Sequence, residues 1–334
     1  MSAPALPRVR VIFTGGTISM LPDPVTGAAV PALSGARILE RTPGLDGIAE
    51  LEAVDWGLVP ASHLGFPQIL DIATRIREAQ ADPEVAGVVV VQGTDVIEET
   101  AFAWDLLSGD GPPVVVTGAM RNAGDPAWDG PANLTAAVRV AADPRLRDAG
   151  CLVVLDGTIL PADDALKTHT HAVDTFRAPN LGPIGRVEGA IVHLDRARGP
   201  RRRLGALPPS VPGPIPIVTV TAAMDGAPLR WAIAAGARGI VVALTGTGNG
   251  DPDILAAAEE AMAAGLPVVH ASRVAAGHAS GAYGFPGAGA RWRAAGALPC
   301  GTLVPSKARI ALALGLGAGL HGSELARLLA GPPV

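Results

Sequence analysis

The sequence predicts a two-domain α/β protein, with a larger N-terminal domain built on a mostly parallel sheet flanked by helices and a smaller C-terminal α/β domain. Short apolar, β-branched runs alternate with alanine-rich stretches of helical length. This alternation is typical of strand–helix–strand units. Most of the runs are continuously apolar, as expected for parallel strands covered on both faces. A length of 334 residues favours two domains over one.

The individual elements follow from these runs in chain order. The predicted strands are residues 8–13, 88–92, 114–117 and 152–155 in the first half, then 217–220, 239–244 and 267–270. The predicted helices are residues 66–79, 98–107, 131–142, 251–264 and 306–316. The sequence therefore places strands and helices in alternation in both halves of the chain.

One stretch interrupts the alternation and predicts the domain boundary. Residues 196–216 contain the run Arg201-Arg202-Arg203 followed by five prolines, which disfavour helix and strand. We expect a semi-rigid linker at 196–216, between an N-terminal domain at 1–195 and a C-terminal domain at 217–334. An arginine run can also indicate nucleic-acid binding or a localisation signal. In an acidic chain, a solvated linker or an interdomain ion-pair site fits better.

Composition excludes several classes of protein. The chain is 49% hydrophobic and 17% charged, so it is not disordered. Its 26 basic and 31 acidic residues give no electrostatic basis for a nucleic-acid or anionic-membrane partner. Cys151 and Cys300 follow no metal or disulfide spacing, and Cys151 opens an apolar run that predicts a buried thiol. The sequence shows no secretory signal and no apolar run long enough to cross a bilayer, so we expect a cytoplasmic protein.

Neither a metal nor another cofactor is expected. His169 and His171 lie one residue apart, but no second cluster of histidines or acids completes a zinc-type ligand set. The glycine pair at 15–16 matches neither a dinucleotide fingerprint nor a P-loop. No Gly-x-Ser-x-Gly motif indicates a serine hydrolase.

Candidate chemistry lies directly after the predicted strands, because ligands bind beyond the carboxyl ends of parallel strands. After the first strand, Gly16 lets the backbone N–H groups approach a ligand, and Thr17 supplies a hydroxyl. After the second strand, Gly93 permits close approach, Thr94 presents a hydroxyl, and Asp95 supplies a carboxylate able to pair with an ammonium group. The alternative is that Thr94 or Asp95 caps the next helix.

Lys167 is a candidate proton-transfer group. Lys167 and Lys307 are the only two lysines among 26 basic residues. Where arginine is the default cation, a lysine indicates a need for a titratable amine, and an amine beside a hydroxyl can take its proton. The alternative is an exposed loop lysine, the commonest fate of this residue type.

Together, these motifs resemble the bacterial-type L-asparaginase/glutaminase family over nearly the whole chain. The matching runs are Thr-Gly-Gly-Thr-Ile at 14–18, Gln-Gly-Thr-Asp at 92–95, Glu-Glu-Thr at 98–100, Pro-Val-Val-Val-Thr-Gly-Ala-Met-Arg at 113–121, Asp-Gly-Pro-Ala-Asn-Leu at 129–134, Lys-Thr at 167–168, Gly-Thr-Gly-Asn-Gly at 246–250 and Ser-Arg-Val at 272–274.

The resemblance implies an amidohydrolase that converts L-asparagine to L-aspartate and ammonia without a cofactor. By position, Thr17 is the nucleophile, while Thr94, Asp95 and Lys167 relay a proton and activate water, with Asp95 also holding the substrate's α-amino group. The residues expected to contact substrate are Gly16, Ser62, His63, Gly93 and Ala119. The resemblance also implies a homodimer or homotetramer whose active sites combine the N-terminal domain of one subunit with the C-terminal domain of another. Possible neighbour-subunit contributors are Asn249, Asp251 and Tyr283.

Two departures from the family pattern leave the substrate open. The family's mobile loop after the first motif carries a tyrosine, whereas residues 20–33 contain none, and we hypothesise that Tyr283 substitutes for it. Ala61 occupies the position of the family's carboxylate-binding serine, with Ser62 one place along and His63 at an acid position. The alternatives are therefore the same chemistry on glutamine, a D-amino acid amide or a cyclic imide, or a non-catalytic binding homologue.

Overall fold

The computed structural model describes residues 5–332, and the chain forms two compact units that divide between Gly199 and Pro200. This division falls within the stretch expected to link the domains. Each unit has its own sheet and its own hydrophobic core.

The first unit contains twelve strands among the described residues. They are β1 (Arg8–Phe13), β2 (Met20–Pro22), β3 (Ala29–Pro31), β4 (Glu50–Asp55), β5 (Val85–Val91), β6 (Val114–Thr117), β7 (Cys151–Leu155), β8 (Thr158–Pro161), β9 (Leu166–Lys167), β10 (Phe176–Arg177), β11 (Gly185–Glu188) and β12 (Ile191–Leu194). Eight of them form one sheet in the order β12-β11-β8-β7-β6-β5-β1-β4. The five neighbouring strands β4, β1, β5, β6 and β7 are parallel, and β8, β11 and β12 extend the sheet antiparallel.

Helices cover this sheet, as expected for a parallel sheet buried on both faces. The α-helices of the first unit are α1 (Gly35–Glu40), α2 (Phe66–Ala81), α3 (Ile97–Leu107) and α4 (Gly130–Ala141). The central strands β5 and β6 are almost entirely buried, because valine occupies nearly every position and packs against helices on either side. Short 3₁₀ turns at Thr17–Ser19, Ala61–His63 and Thr94–Val96 lie beside the ends of these strands.

The second unit is a smaller α/β domain. Its elements are β13 (Ile217–Thr219), α5 (Ala227–Ala234), β14 (Ile240–Leu244), α6 (Pro252–Ala263), β15 (Val268–Ser272), α7 (Gly289–Ala294), β16 (Leu298–Pro299), α8 (Pro305–Gly317) and α9 (Gly322–Ala330). The four strands are parallel and lie in sequence order. The predicted fold class is therefore confirmed.

The expectation of a solvated linker is wrong for Arg202. Residues 200–216 form neither helix nor strand, as predicted, but Arg202 is only 9% exposed. Its guanidinium donates hydrogen bonds to the backbone oxygens of Leu328, Leu329 and Ala330 at the end of α9. A cation satisfies the carbonyl groups that a helix leaves unpaired at its C-terminus. The stretch is thus part of the second unit's own packing.

No helix among residues 5–332 combines the length and the apolar character needed to cross a membrane.

Candidate active site

Two glycine-rich turns touch at the carboxyl edge of the parallel sheet. Gly16 follows β1 with a φ of +89°, and a Cβ placed on it would lie 2.1 Å from the backbone nitrogen of Gly93, which follows β5. The two backbones are therefore in direct contact, and no residue with a side chain fits at position 16. Because Thr17 and Thr94 directly follow these glycines, the structure brings the two predicted threonines to one place at the sheet edge.

A third turn, after β6, closes the same region. A Cβ on Gly118 would lie 2.4 Å from the backbone oxygen of Gln92, and 3.3 Å from Cγ2 of Thr94. Ala119, the next residue, is completely buried. Asp129 braces this turn, because its carboxylate accepts hydrogen bonds from the backbone nitrogens of Met120 and Arg121.

Lys167 reaches this edge from β9 and binds Thr94. Its Nζ donates a 2.9 Å hydrogen bond to Oγ1 of Thr94, a residue only 4% exposed. The same ammonium lies 3.7 Å from Oδ1 of Asp95. The side chain of Lys167 is 19% exposed and that of Asp95 is 66% exposed. The three residues predicted as a proton relay are therefore assembled, with a buried hydroxyl and a carboxylate open to solvent.

The alternative interpretation of Thr94 and Asp95 as helix caps is wrong. Gly93 precedes the 3₁₀ turn and Val96 precedes α3, and neither helix start has a side-chain cap. The Thr94 hydroxyl instead accepts a hydrogen bond from Lys167. Because Lys167 makes this bond, the alternative that it is an exposed loop lysine is also wrong.

Sequence reasoning missed one contact of this lysine. Oε2 of Glu98, in the first turn of α3, accepts a 2.7 Å hydrogen bond from the backbone nitrogen of Lys167. No local pattern in the sequence signals this contact, because the two residues lie 69 positions apart.

Thr17 differs from Thr94 in its surroundings. It opens the 3₁₀ turn Thr17–Ser19 and is partly buried, and its hydroxyl makes no hydrogen bond to any residue from 5 to 332. The following residues form the antiparallel pair β2–β3, which is tied down where Ala32 and Leu33 donate from their backbone nitrogens to the backbone oxygen of Ser19. The tip is open to solvent, with Val25 90% exposed.

The loop at 61–63 brings Ala61, rather than Ser62, to the glycine contact. A Cβ on Gly93 would lie 2.9 Å from the Cβ of Ala61, which is 3% exposed. Ser62 and His63 are exposed. Ser62 and His63 therefore lie in a loop beside Gly93, and the residue that packs on Gly93 carries no polar group.

In the second unit, two of the predicted contributors have local structural partners. Oδ1 of Asn249 accepts from the backbone nitrogen of Gly289, and Asp251 caps α6 by accepting from the backbone nitrogen of Asp253. Tyr283 is 52% exposed, and its ring centroid lies 6.0 Å from that of Phe285.

The fold and the site define the class of this protein: an α/β protein whose parallel-sheet edge carries a threonine hydroxyl bonded to a lysine amine. Comparison with known proteins agrees with this class. Residues 8–199 match the family described as "Asparaginase, N-terminal", and residues 215–329 match the family described as "Glutaminase/Asparaginase C-terminal domain".

Full-length relatives carry the same name. The chain is 36% identical to a probable L-asparaginase of Deinococcus radiodurans, over 97% of each chain. It is 32% identical to L-asparaginase 2 of Escherichia coli and to a probable periplasmic L-asparaginase of Haemophilus influenzae, in each case over 94% of this chain and 90% of the relative. The chain belongs to the asparaginase family and is an amidohydrolase, and the activity supported by these matches is asparagine hydrolysis.

Proposed function

We propose that this chain hydrolyses the side-chain amide of L-asparagine through Thr17 as nucleophile, with Thr94 and Lys167 as the proton relay. The observation that carries the proposal is the 2.9 Å hydrogen bond from Lys167 Nζ to Thr94 Oγ1, one residue beyond the contact between Gly16 and Gly93. An unassisted threonine hydroxyl is a poor nucleophile, and a neighbouring base removes this limitation.

The reaction divides into two steps. Oγ1 of Thr17 bonds to the amide carbon while the hydroxyl proton passes to the amide nitrogen, which leaves as ammonia. The resulting ester is then attacked by water, whose oxygen bonds to the acyl carbon and whose proton restores the Thr17 hydroxyl. The hydrogen-bonded Thr94–Lys167 pair orients the water and carries protons. Backbone N–H groups of the glycine turns are available to stabilise the oxyanion formed in each step.

The remaining polar groups of the first unit serve substrate binding in this proposal. The exposed carboxylate of Asp95 pairs with the α-amino group, while Ser62 and His63 interact with the α-carboxylate. Gly16, Gly93 and Ala119 shape the pocket. Because Ala61 lacks a hydroxyl where the family has one, glutamine, D-amino acid amides and cyclic imides remain the alternative substrates within the same chemistry.

Assembly and location complete the proposal. We propose a cytoplasmic homodimer or homotetramer in which Asn249, Asp251 and Tyr283 serve a neighbouring subunit's site. A Tyr283→Phe enzyme then loses much of its turnover, because the tyrosine hydroxyl replaces the one absent from residues 20–33. Unchanged turnover in this variant excludes the Tyr283 role, and sedimentation analysis tests the oligomer.

The experiment that tests the proposed function measures ammonia release by the purified protein. Substrates are L-asparagine, L-glutamine and their D-isomers, with Thr17→Ala as the control. We expect saturable release from L-asparagine that Thr17→Ala abolishes, together with an acyl-enzyme visible by intact mass only when Thr17 is present. Thermal stabilisation by L-asparagine without ammonia release indicates a non-catalytic binding protein and contradicts the proposal.

A further inference from the structure

The proposed base, Lys167, lies on a strand that is not part of the eight-stranded sheet. Its strand β9 has two residues and pairs only with β10, in a ribbon separate from the eight-stranded sheet. A lysine side chain has four rotatable carbons and considerable rotamer freedom. The position of Nζ at Thr94 therefore depends on how the Lys167 backbone is fixed.

Two acidic residues fix the chain a few positions before the lysine. Oδ1 of Asp163 accepts a 3.1 Å hydrogen bond from Nη2 of the buried Arg198. The carboxylate of Asp164, 7% exposed, accepts from the backbone nitrogens of Asn180 and Leu181 at 2.9 and 2.6 Å. These contacts position the segment that leads to β9. The backbone nitrogen of Lys167 itself is bound by a third carboxylate.

That third carboxylate is Glu98, and it belongs to the segment that carries the lysine's partner. Its Oε2 accepts from the Lys167 backbone nitrogen at 2.7 Å, while Lys167 Nζ donates to Thr94 at 2.9 Å. Residues 94–98 thus bind both the backbone nitrogen and the terminal amine of Lys167. Because both acceptors belong to one short segment, the length of the Glu98 side chain sets the distance between the β9 backbone and the Thr94 hydroxyl.

We propose that Glu98 is a positioning residue that sets the reach of Lys167 to Thr94 through the backbone hydrogen bond. This inference rests on the proposed function, because it assigns a task within the same proton relay. Glu98 acts as a hydrogen-bond acceptor of the correct length, and its negative charge is dispensable. The competing explanation is that the carboxylate charge stabilises the nearby ammonium of Lys167.

Two conservative variants separate these explanations. Glu98→Gln keeps an acceptor oxygen at the same reach and removes the charge, whereas Glu98→Asp keeps the charge and shortens the side chain by one methylene. We expect kcat to fall about 10- to 100-fold in Glu98→Asp, since small misplacements of catalytic groups have effects of this order. In Glu98→Gln, kcat stays within about threefold of wild type, with KM little changed in both.

The matched control is Glu99→Asp, which makes the same change in the same helical turn and leaves kcat near wild type. Melting curves of all three variants verify folding. A Glu98→Asp enzyme with wild-type kcat overturns the proposal. A Glu98→Gln enzyme as impaired as Glu98→Asp also overturns it, because the charge then matters.

A second readout does not depend on turnover. The chain has only two lysines, so isotope-labelled lysine gives two side-chain NMR signals, and the 1%-exposed Lys307 serves as an internal reference. We expect Glu98→Asp to move the Lys167 signal towards that of free lysine, and Glu98→Gln to leave it in place. An unmoved signal in Glu98→Asp contradicts the positioning role. If the wild-type protein releases no ammonia from L-asparagine, the proposed function fails while this spectrum still decides the role of Glu98.

Discussion

The two threonines at the sheet edge lie in opposite surroundings. Thr94 is buried and bonded to Lys167, whose segment is anchored by acidic side chains. Thr17 is partly exposed and unbonded within residues 5–332, and the neighbouring loop at 61–63 presents Ser62 and His63 to solvent.

Within the proposed function, this difference separates the proton relay at Thr94 from the nucleophile Thr17 and the loops that bind substrate. On the Thr94 side, hydrogen bonds hold the proposed proton relay in place, so we expect this side to tolerate little change. The Thr17 side depends on exposed loops, where substitutions have small effects on folding. Of the departures from the family pattern, the tyrosine-free residues 20–33 lie in an exposed loop, whereas Ala61 is buried against Gly93.

The largest loss of stability is expected at Arg198, whose ion pairs hold the segment that precedes Lys167. The Arg198 side chain is 5% exposed and pairs with Asp105, 1% exposed, and with Asp163. We expect Arg198→Met to lower the free energy of unfolding by about 3–5 kcal/mol, because removing one partner leaves buried charges uncompensated. Urea denaturation measures the change. The control is Arg37→Met, which removes an exposed ion pair with Glu40 and has an effect of about 0.5 kcal/mol or less. Equal effects of the two variants would contradict the claim that the buried ion pairs of Arg198 stabilise the fold.

The glycine contact joins the two sides and is the next most sensitive point. Gly16→Ala places a Cβ 2.1 Å from the Gly93 nitrogen at a left-handed φ. We expect it to destabilise the protein by about 2–3 kcal/mol and to abolish turnover. Gly47→Ala is the matched control, since no atom lies within 4 Å of its Cβ and its φ is not positive. An active, fully stable Gly16→Ala protein would show that the two turns are not in contact.

In the exposed loop at 61–63, we expect an effect on substrate binding rather than on the chemical step. If Ser62 binds the substrate carboxylate, Ser62→Ala raises KM about tenfold and leaves kcat unchanged, because an equal loss in ground and transition states appears in KM alone. Steady-state kinetics with L-asparagine measure both constants. A fall in kcat at constant KM would place Ser62 in the chemical step and contradict its role in substrate binding.

The smallest expected effect comes from His270 in β15. Burial lowers the pKa of this histidine, whose Nε2 lies 2.9 Å from the backbone oxygen of Gly248. The unfolded chain therefore binds a proton more readily than the folded one. Its contribution to stability is complete above about pH 6.5 and is lost as the pH falls from there through the lower folded-state pKa. Urea denaturation between pH 8 and 5 should show a shallower loss in His270→Gln than in wild type, and equal losses in the two proteins would contradict this role of His270.

Apolar runs and helical spacing predicted the central strands and several of the helices that pack on them, but missed α1, α5 and α9, which also bury apolar side chains. The strand Arg8–Phe13 and the strand Val114–Thr117 have the predicted bounds, and α2 and α3 differ by two residues or fewer. Edge strands were missed because their patterns are mixed. An example is Glu50–Asp55, which contains three acidic residues and no continuous apolar run, and lies at the edge of the sheet.

Three residues chosen because they matched family motifs, Thr94, Asp95 and Lys167, lie together in the structure, while their roles stay predictions. Contacts made through the backbone were not predictable, because they depend on how distant segments fold together. Glu98 meets the backbone of Lys167 across 69 positions, and Arg202 meets the end of α9 across more than 120. No local pattern in the sequence reports either contact.

The central claim is that the Thr94–Lys167 hydrogen bond performs the proton transfer, and kcat of three variants tests it most directly. We expect Thr94→Val and Lys167→Met each to lower kcat by about 10³-fold or more with unchanged melting curves, since general acid–base groups contribute effects of this order. Thr94→Ser keeps the hydroxyl and retains most of the activity. Wild-type kcat in a folded Thr94→Val or Lys167→Met enzyme would contradict the claim.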